Sequence, residues 1–112
     1  MKLVRDLIPQ IIEEDGRSCE YHVANYDEYK TNLYEKMREE LEEFISTPCI
    51  EEAADMYEVL RAICELHGLE MVFVEVEAAD KRLGRHHHRD PRGGFNDRII
   101  LEKVLDENRG SG

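Results

Sequence analysis

The chain has no tryptophan, only three prolines and three cysteines, and little positive charge: 15 Lys and Arg stand against 26 Asp and Glu in 112 residues. Each shortage excludes something. A formal net charge of −11 argues against nucleic-acid polymers and anionic membranes as main partners, because recognising arrays of phosphate takes a cationic surface. A small phosphorylated substrate stays compatible when metal ions shield its charge. Cys19, Cys49 and Cys64 are odd in number and lack CxxC spacing, so reduced, structural thiols are expected rather than a disulfide framework. No stretch approaches the roughly 18 apolar residues a membrane span requires. Lys2, Arg5 and Asp6 interrupt the opening residues, unlike a signal peptide, so the expected residence is cytoplasmic.

Nucleophile chemistry is also missing. No Ser, Cys and His arrangement suggests a covalent intermediate, and Gly93-Gly94 is far short of a P-loop. The adjacent His86, His87 and His88 diverge on any regular backbone, so they read as a solvated or phosphate-facing basic loop rather than a zinc site.

What is present is enough apolar content, 41%, for one domain over residues 1–105 with a loose tail at 106–112, small enough that a second copy would help bury apolar surface. Asp6 is expected to cap a short helix through Ile8, Ile11 and Ile12 that Gly16 ends, and residues 18–24 read as an extended linker. A long acidic helix capped by Asp27 should run to about Ser46, where Thr47-Pro48 breaks it, and a second should run from about Ile50 to His67 and stop at Gly68. Residues 70–83 mix β-branched residues with helical spacing. Residues 84–94 read as a polar loop, followed by a short apolar return from Phe95 to Leu101.

The acids on the two long helices carry the chemistry. Glu40 with Glu43, and Glu52 with Asp55, are each three apart, hence neighbours on a helix surface, and antiparallel helices could aim all four at one point. Spacing alone is weak, because about six such pairs would arise by chance at this acidic content. Direction is more telling. At about 100° per residue, Ala53, Met56, Val59, Leu60, Ile63 and Cys64 form the apolar arc of the second helix; Glu52 falls between Val59 and Ile63, and Asp55 at the edge beside Leu66. On the first helix the arc is Leu33, Met37, Leu41 and Phe44, with Glu40 bordering it, Glu43 one step further and Glu42 well away.

Unpaired carboxylates at a packing face are costly, and like charges about 4 Å apart repel by roughly 4 kcal/mol at an effective dielectric of 20. Something must neutralise them. Hard oxygen donors without thiolate or imidazole partners suit Mg²⁺, with Mn²⁺ as a substitute. The alternative is an ordinary ion pair from Glu52 to Lys36 or Arg61.

The run Lys36-Met-Arg-Glu-Glu-Leu-Glu-Glu-Phe44, followed by Glu51-Glu-Ala-Ala-Asp-Met-Tyr-Glu-Val-Leu60, resembles the EExxE and ExxD motifs of the MazG-like all-α nucleoside triphosphate pyrophosphatases. Lys2-Leu-Val-Arg-Asp-Leu-Ile-Pro9, Arg92-Gly-Gly-Phe95 and Arg98-Ile-Ile-Leu101 resemble the ends of its phosphoribosyl-ATP pyrophosphohydrolase-like branch. The resemblance implies an all-α helical bundle, with residues 70–83 helical, completed as a homodimer. It places metal ligands on Glu40, Glu43, Glu52 and Asp55, with Glu39 opening the first motif. It also implies Mg²⁺-dependent cleavage of a nucleoside triphosphate or phosphoribosyl-ATP-like substrate to the monophosphate form and pyrophosphate. Glu39 or Glu43 would accept the proton of the attacking water. Lys36, Lys81, Arg82, Gly93, Gly94 and Arg98 are the candidates to hold phosphate. The spacing from Glu43 to Glu52 is shorter than in longer relatives, and Arg85-His-His-His-Arg89 has no counterpart in the pattern. The rival reading is a non-enzymatic acidic helical module for interaction or assembly.

Overall fold

The computed structural model describes residues 1–84 and 92–105. The loop with Arg85, His86–His88 and Arg89, and the tail 106–112, lie outside the described residues. Among the described residues there are four helices and no strand: α1 (Ile8–Glu14), α2 (Tyr26–Ser46), α3 (Ile50–Leu66) and α4 (Met71–Leu83). The all-α expectation holds, including α4. Two units divide the chain, Met1–Met71 and Val72–Gly112.

The first unit is built on a helical hairpin in which α2 packs on α3. Only Thr47, Pro48 and Cys49 separate the two helices, a connection short enough to make them antiparallel neighbours. Asn25, not Asp27, caps α2: its side-chain oxygen accepts from the Glu28 amide at 2.9 Å. Asp27 instead lies in the first turn, where its charge complements the helix dipole. Asp6 likewise is not a cap, since Leu7 occupies the N-cap of α1 without a side-chain hydrogen bond and Pro9 sits in the first turn.

Both glycine stops work through one hydrogen-bond pattern. At the end of α3 the Gly68 amide donates to Glu65 O at 3.0 Å and the Leu69 amide to Cys64 O at 2.8 Å. At the end of α1 Gly16 donates to Glu13 O at 3.0 Å and Arg17 to Ile12 O at 3.1 Å. This closure needs a left-handed residue, and Gly68 (φ 72°) and Gly16 (φ 83°) supply it.

The packed seam of the hairpin is rotated relative to the apolar arcs of the sequence. Leu33 and Glu40 are buried on α2, whereas Leu41 is 46% exposed. On α3, Glu52, Asp55, Met56, Val59, Ala62, Ile63 and Leu66 are the partly covered residues, while Ala53 and Leu60 are exposed. Each helix has therefore turned its acids inward at the expense of an apolar residue. Leu33, Cys64 and Met71 are the buried apolar residues among those described.

In the second unit, Lys81 and Arg82 form the basic last turn of α4, the favourable end of the dipole for cations. A side chain at Gly94 would meet Arg82 Cγ at 3.2 Å, so the Gly94 backbone lies close against that arginine. Residues 98–105 adopt neither helix nor strand, and Phe95, Ile99, Ile100 and Leu101 are exposed.

Candidate metal centre

Glu40 comes from the second half of α2, and Glu52 and Asp55 from the first two turns of α3. One carboxylate oxygen from each lies within 4.8 Å of the others. The hairpin turn produces this convergence: a three-residue link sets the second half of α2 beside the start of α3, and the i, i+3 spacing puts Glu52 and Asp55 on one face.

Burial separates this cluster from the rest of the acidic surface. Glu40 is 6% exposed. Oε2 of Glu40 and Oε2 of Glu52 are buried without any hydrogen-bond partner. Native structures leave few buried polar atoms unsatisfied, and carboxylate oxygens carry the heaviest penalty for it. Glu52 shows the strain directly: its carboxyl is pushed above its ordinary value, first by desolvation, then by the charges of Glu43, Asp55 and Glu40, and by a side-chain hydrogen bond with Glu43. A group so disposed resists ionising unless a cation sits beside it.

Protein cations only partly answer the charge. Lys36 Nζ lies 3.5 Å from Glu40 Oε1, and the Arg5 guanidinium donates to Asp55 Oδ1. Among the described residues, these two cations stand against four carboxylates, counting Glu43. The ion-pair alternative for Glu52 fails on position. Lys36 is on Glu40, and Arg61 pairs with Glu58 at 3.8 Å and Glu65 at 3.9 Å along its own helix.

Glu40, Glu52 and Asp55 thus converge, while Glu43 is exposed, stands outside that group of three, and bears on it through its charge beside Glu52. Glu39 is half-buried on the neighbouring position of α2. Lys36 is at the cluster, with its side chain 21% exposed. Lys81, Arg82, Gly93, Gly94 and Arg98 belong to the second unit, where Arg82 and Gly94 are brought together. The residue that sequence reasoning missed is Arg5. It carries no periodic signal, and its only mark was membership of the opening segment Lys2–Pro9. A hollow of about 360 Å³ opens at the far end of α3, lined by Arg61, Glu65, Gly68, Leu69, Glu70 and Met71; none of the clustered acids reaches it.

Comparison with protein-family models, with curated proteins and with solved structures returns no match, so the chemistry of the cluster has to be argued from its geometry. Hard oxygen donors, two of them orphaned and buried, fit a small divalent cation such as Mg²⁺ or Mn²⁺.

Proposed function

We propose that this chain is a Mg²⁺-dependent pyrophosphohydrolase that converts a nucleoside triphosphate, or a phosphoribosyl-ATP-like substrate, to its monophosphate form and pyrophosphate. The observation that carries the reading is Glu40: a nine-tenths-buried carboxylate with an orphaned oxygen, facing two further acids within 4.8 Å. An acidic surface whose only task is solubility has no reason to bury an unpaired oxygen. The resemblance of Lys36–Phe44 and Glu51–Leu60 to the MazG-like motifs adds the reaction class.

Glu40, Glu52 and Asp55 would hold the metal, with Glu43 beside them. When bound, Mg²⁺ supplies charge neutralisation of the phosphates and a lowered pKa for water. Lys36, at the edge of the cluster, offers its ammonium to phosphate oxygen. Glu43 is an exposed carboxylate whose charge acts on Glu52, and half-buried Glu39 adjoins Glu40 in sequence; either can accept the proton released as water adds to the α phosphorus and the bond from that phosphorus to the α–β bridging oxygen breaks. Pyrophosphate leaves with that bridging oxygen.

We further propose that two copies associate through the outer face of α3. Ile50, Ala53, Ala54, Tyr57 and Leu60 share that face and are exposed, Tyr57 at 38% and Leu60 at 37%. The few buried apolar residues leave the hairpin short of core. None of the described helices is long and apolar enough to cross a membrane.

Product analysis tests the activity. A panel of nucleotides incubated with Mg²⁺ should yield pyrophosphate and a monophosphate, with no orthophosphate. Stepwise release of orthophosphate through a diphosphate product would refute the reading and leave another phosphatase class in play.

A further inference from the structure

Arg5 is joined to Asp55 across 50 positions of sequence. Its backbone is fixed at the head of α1, where its carbonyl accepts from the Ile8 amide at 3.1 Å, and half-buried Leu3, Ile8 and Ile12 flank this segment. The side chain itself is 65% exposed. One terminal nitrogen donates to Asp55 Oδ1, and among the described residues that is the one side-chain hydrogen bond of the fork. A guanidinium carries five N–H donors in a rigid plane matched to paired oxygens of carboxylate or phosphate. Here a single contact tethers that plane at the rim of the acidic cluster, with most of its donors turned to solvent.

A purely structural clasp would be poorly served by this arrangement, since exposed ion pairs contribute between nothing and about 1 kcal/mol. An anion reader would be well served by it. Lys36 in turn lies 3.5 Å from Glu40, so two of the three clustered carboxylates each meet a cation. Carboxylates select a cation and the flanking cations select an anion, and the ligand presenting both at once is a metal–polyphosphate complex.

We propose that Arg5 is a phosphate-binding residue of this site, releasing or sharing Asp55 to grip non-bridging phosphate oxygens of the metal-bound substrate. The proposal rests on the metal-site reading above. It adds a residue from the first seven positions of the chain and makes the N-terminal segment part of the substrate-binding surface.

Calorimetry on the full chain separates the two ideas. Wild type is titrated first with Mn²⁺ alone and then, at saturating Mn²⁺, with methylenediphosphonate, a diphosphate whose bridge cannot be hydrolysed. Arg5→Ala should bind Mn²⁺ as tightly as wild type or more so, because a competing cation has been removed from Asp55. It should bind the diphosphonate about tenfold more weakly or worse, the scale of a lost charged hydrogen bond. Arg5→Lys, which keeps the charge but loses the fork, should fall between. Circular dichroism melts confirm that both variants fold. If the variants match wild type for diphosphonate at saturating Mn²⁺, Arg5 only positions Asp55 and the proposal is overturned while the metal site stands. If wild type takes up no Mn²⁺, the metal-site reading falls and this proposal falls with it.

Discussion

Replacing Glu52 by Gln removes one charge from the cluster while keeping the side chain's shape, and the response to metal distinguishes a ligand from an ion-pair partner. Glu52 has an orphaned oxygen and, among the described residues, no ion-pair partner, so in chelator the variant should melt at or above wild type. Added metal should then reverse the order. At free Mg²⁺ ten times its dissociation constant, linkage stabilises wild type by RT ln 11, about 1.4 kcal/mol. With an unfolding entropy near 2.1 cal/mol/K per residue, a 112-residue chain gains about 6 °C. Loss of one of three ligands should weaken binding by about tenfold or more, the range seen even for outer-sphere changes. At the same Mg²⁺ the variant then gains RT ln 2, about 0.4 kcal/mol, or about 2 °C. Differential scanning fluorimetry in chelator and in Mg²⁺ or Mn²⁺ resolves such a difference. A Glu52→Gln protein that melts well below wild type in chelator, beside a wild type indifferent to both metals, would refute the reasoning and favour the acidic interaction module.

The raised Glu52 carboxyl also sets a pH dependence. Its folded-state value lies above the ordinary 4.5, so between the two the folded protein binds more protons than the unfolded chain, and stability from this group falls as pH rises through that window. Metal-free wild type should therefore lose stability relative to Glu52→Gln as pH is raised from about 4.5 toward neutrality, and urea melts that run parallel across the range would contradict the shift. In activity assays Glu52→Gln and Asp55→Asn should lose turnover by orders of magnitude. Glu51→Gln and Glu58→Gln, both exposed, should stay near wild type; equal loss at all four would point to a diffuse acidic surface. The rotated seam predicts that Leu33→Ala, at a residue 3% exposed, costs about 3 kcal/mol of stability by denaturant unfolding. Leu41→Ala, 46% exposed, should cost less than about 1 kcal/mol; equal losses would place both on one packed face.

Local chemistry made much of this protein legible from its residues alone. Pro48 and the two glycines at 16 and 68 mark where helices must stop, because a missing amide and a left-handed turn act within a few residues whatever the rest of the chain does. The i, i+3 spacing of the acids likewise made it legible that Glu52 and Asp55 share one face of α3, where Glu40 meets them. Other features had no local signature. Asn25 and Asp27 are both competent caps, and the choice is set by where the backbone leaves its extended conformation, which is at Asn25 with Asp27 already in the first turn. Residues 70–83 are ambiguous in sequence, since β-branched residues tolerate a helix once its length and neighbours favour one. The seam is a matter of two surfaces, and an apolar arc computed on each helix separately cannot register that docking turns Glu40 and Glu52 inward and leaves Leu41 and Leu60 at the surface. Arg5 is the extreme case. Periodicity carries no information across 50 positions, and only the folded chain brings that guanidinium to Asp55, where its charge bears on what the carboxylates can hold.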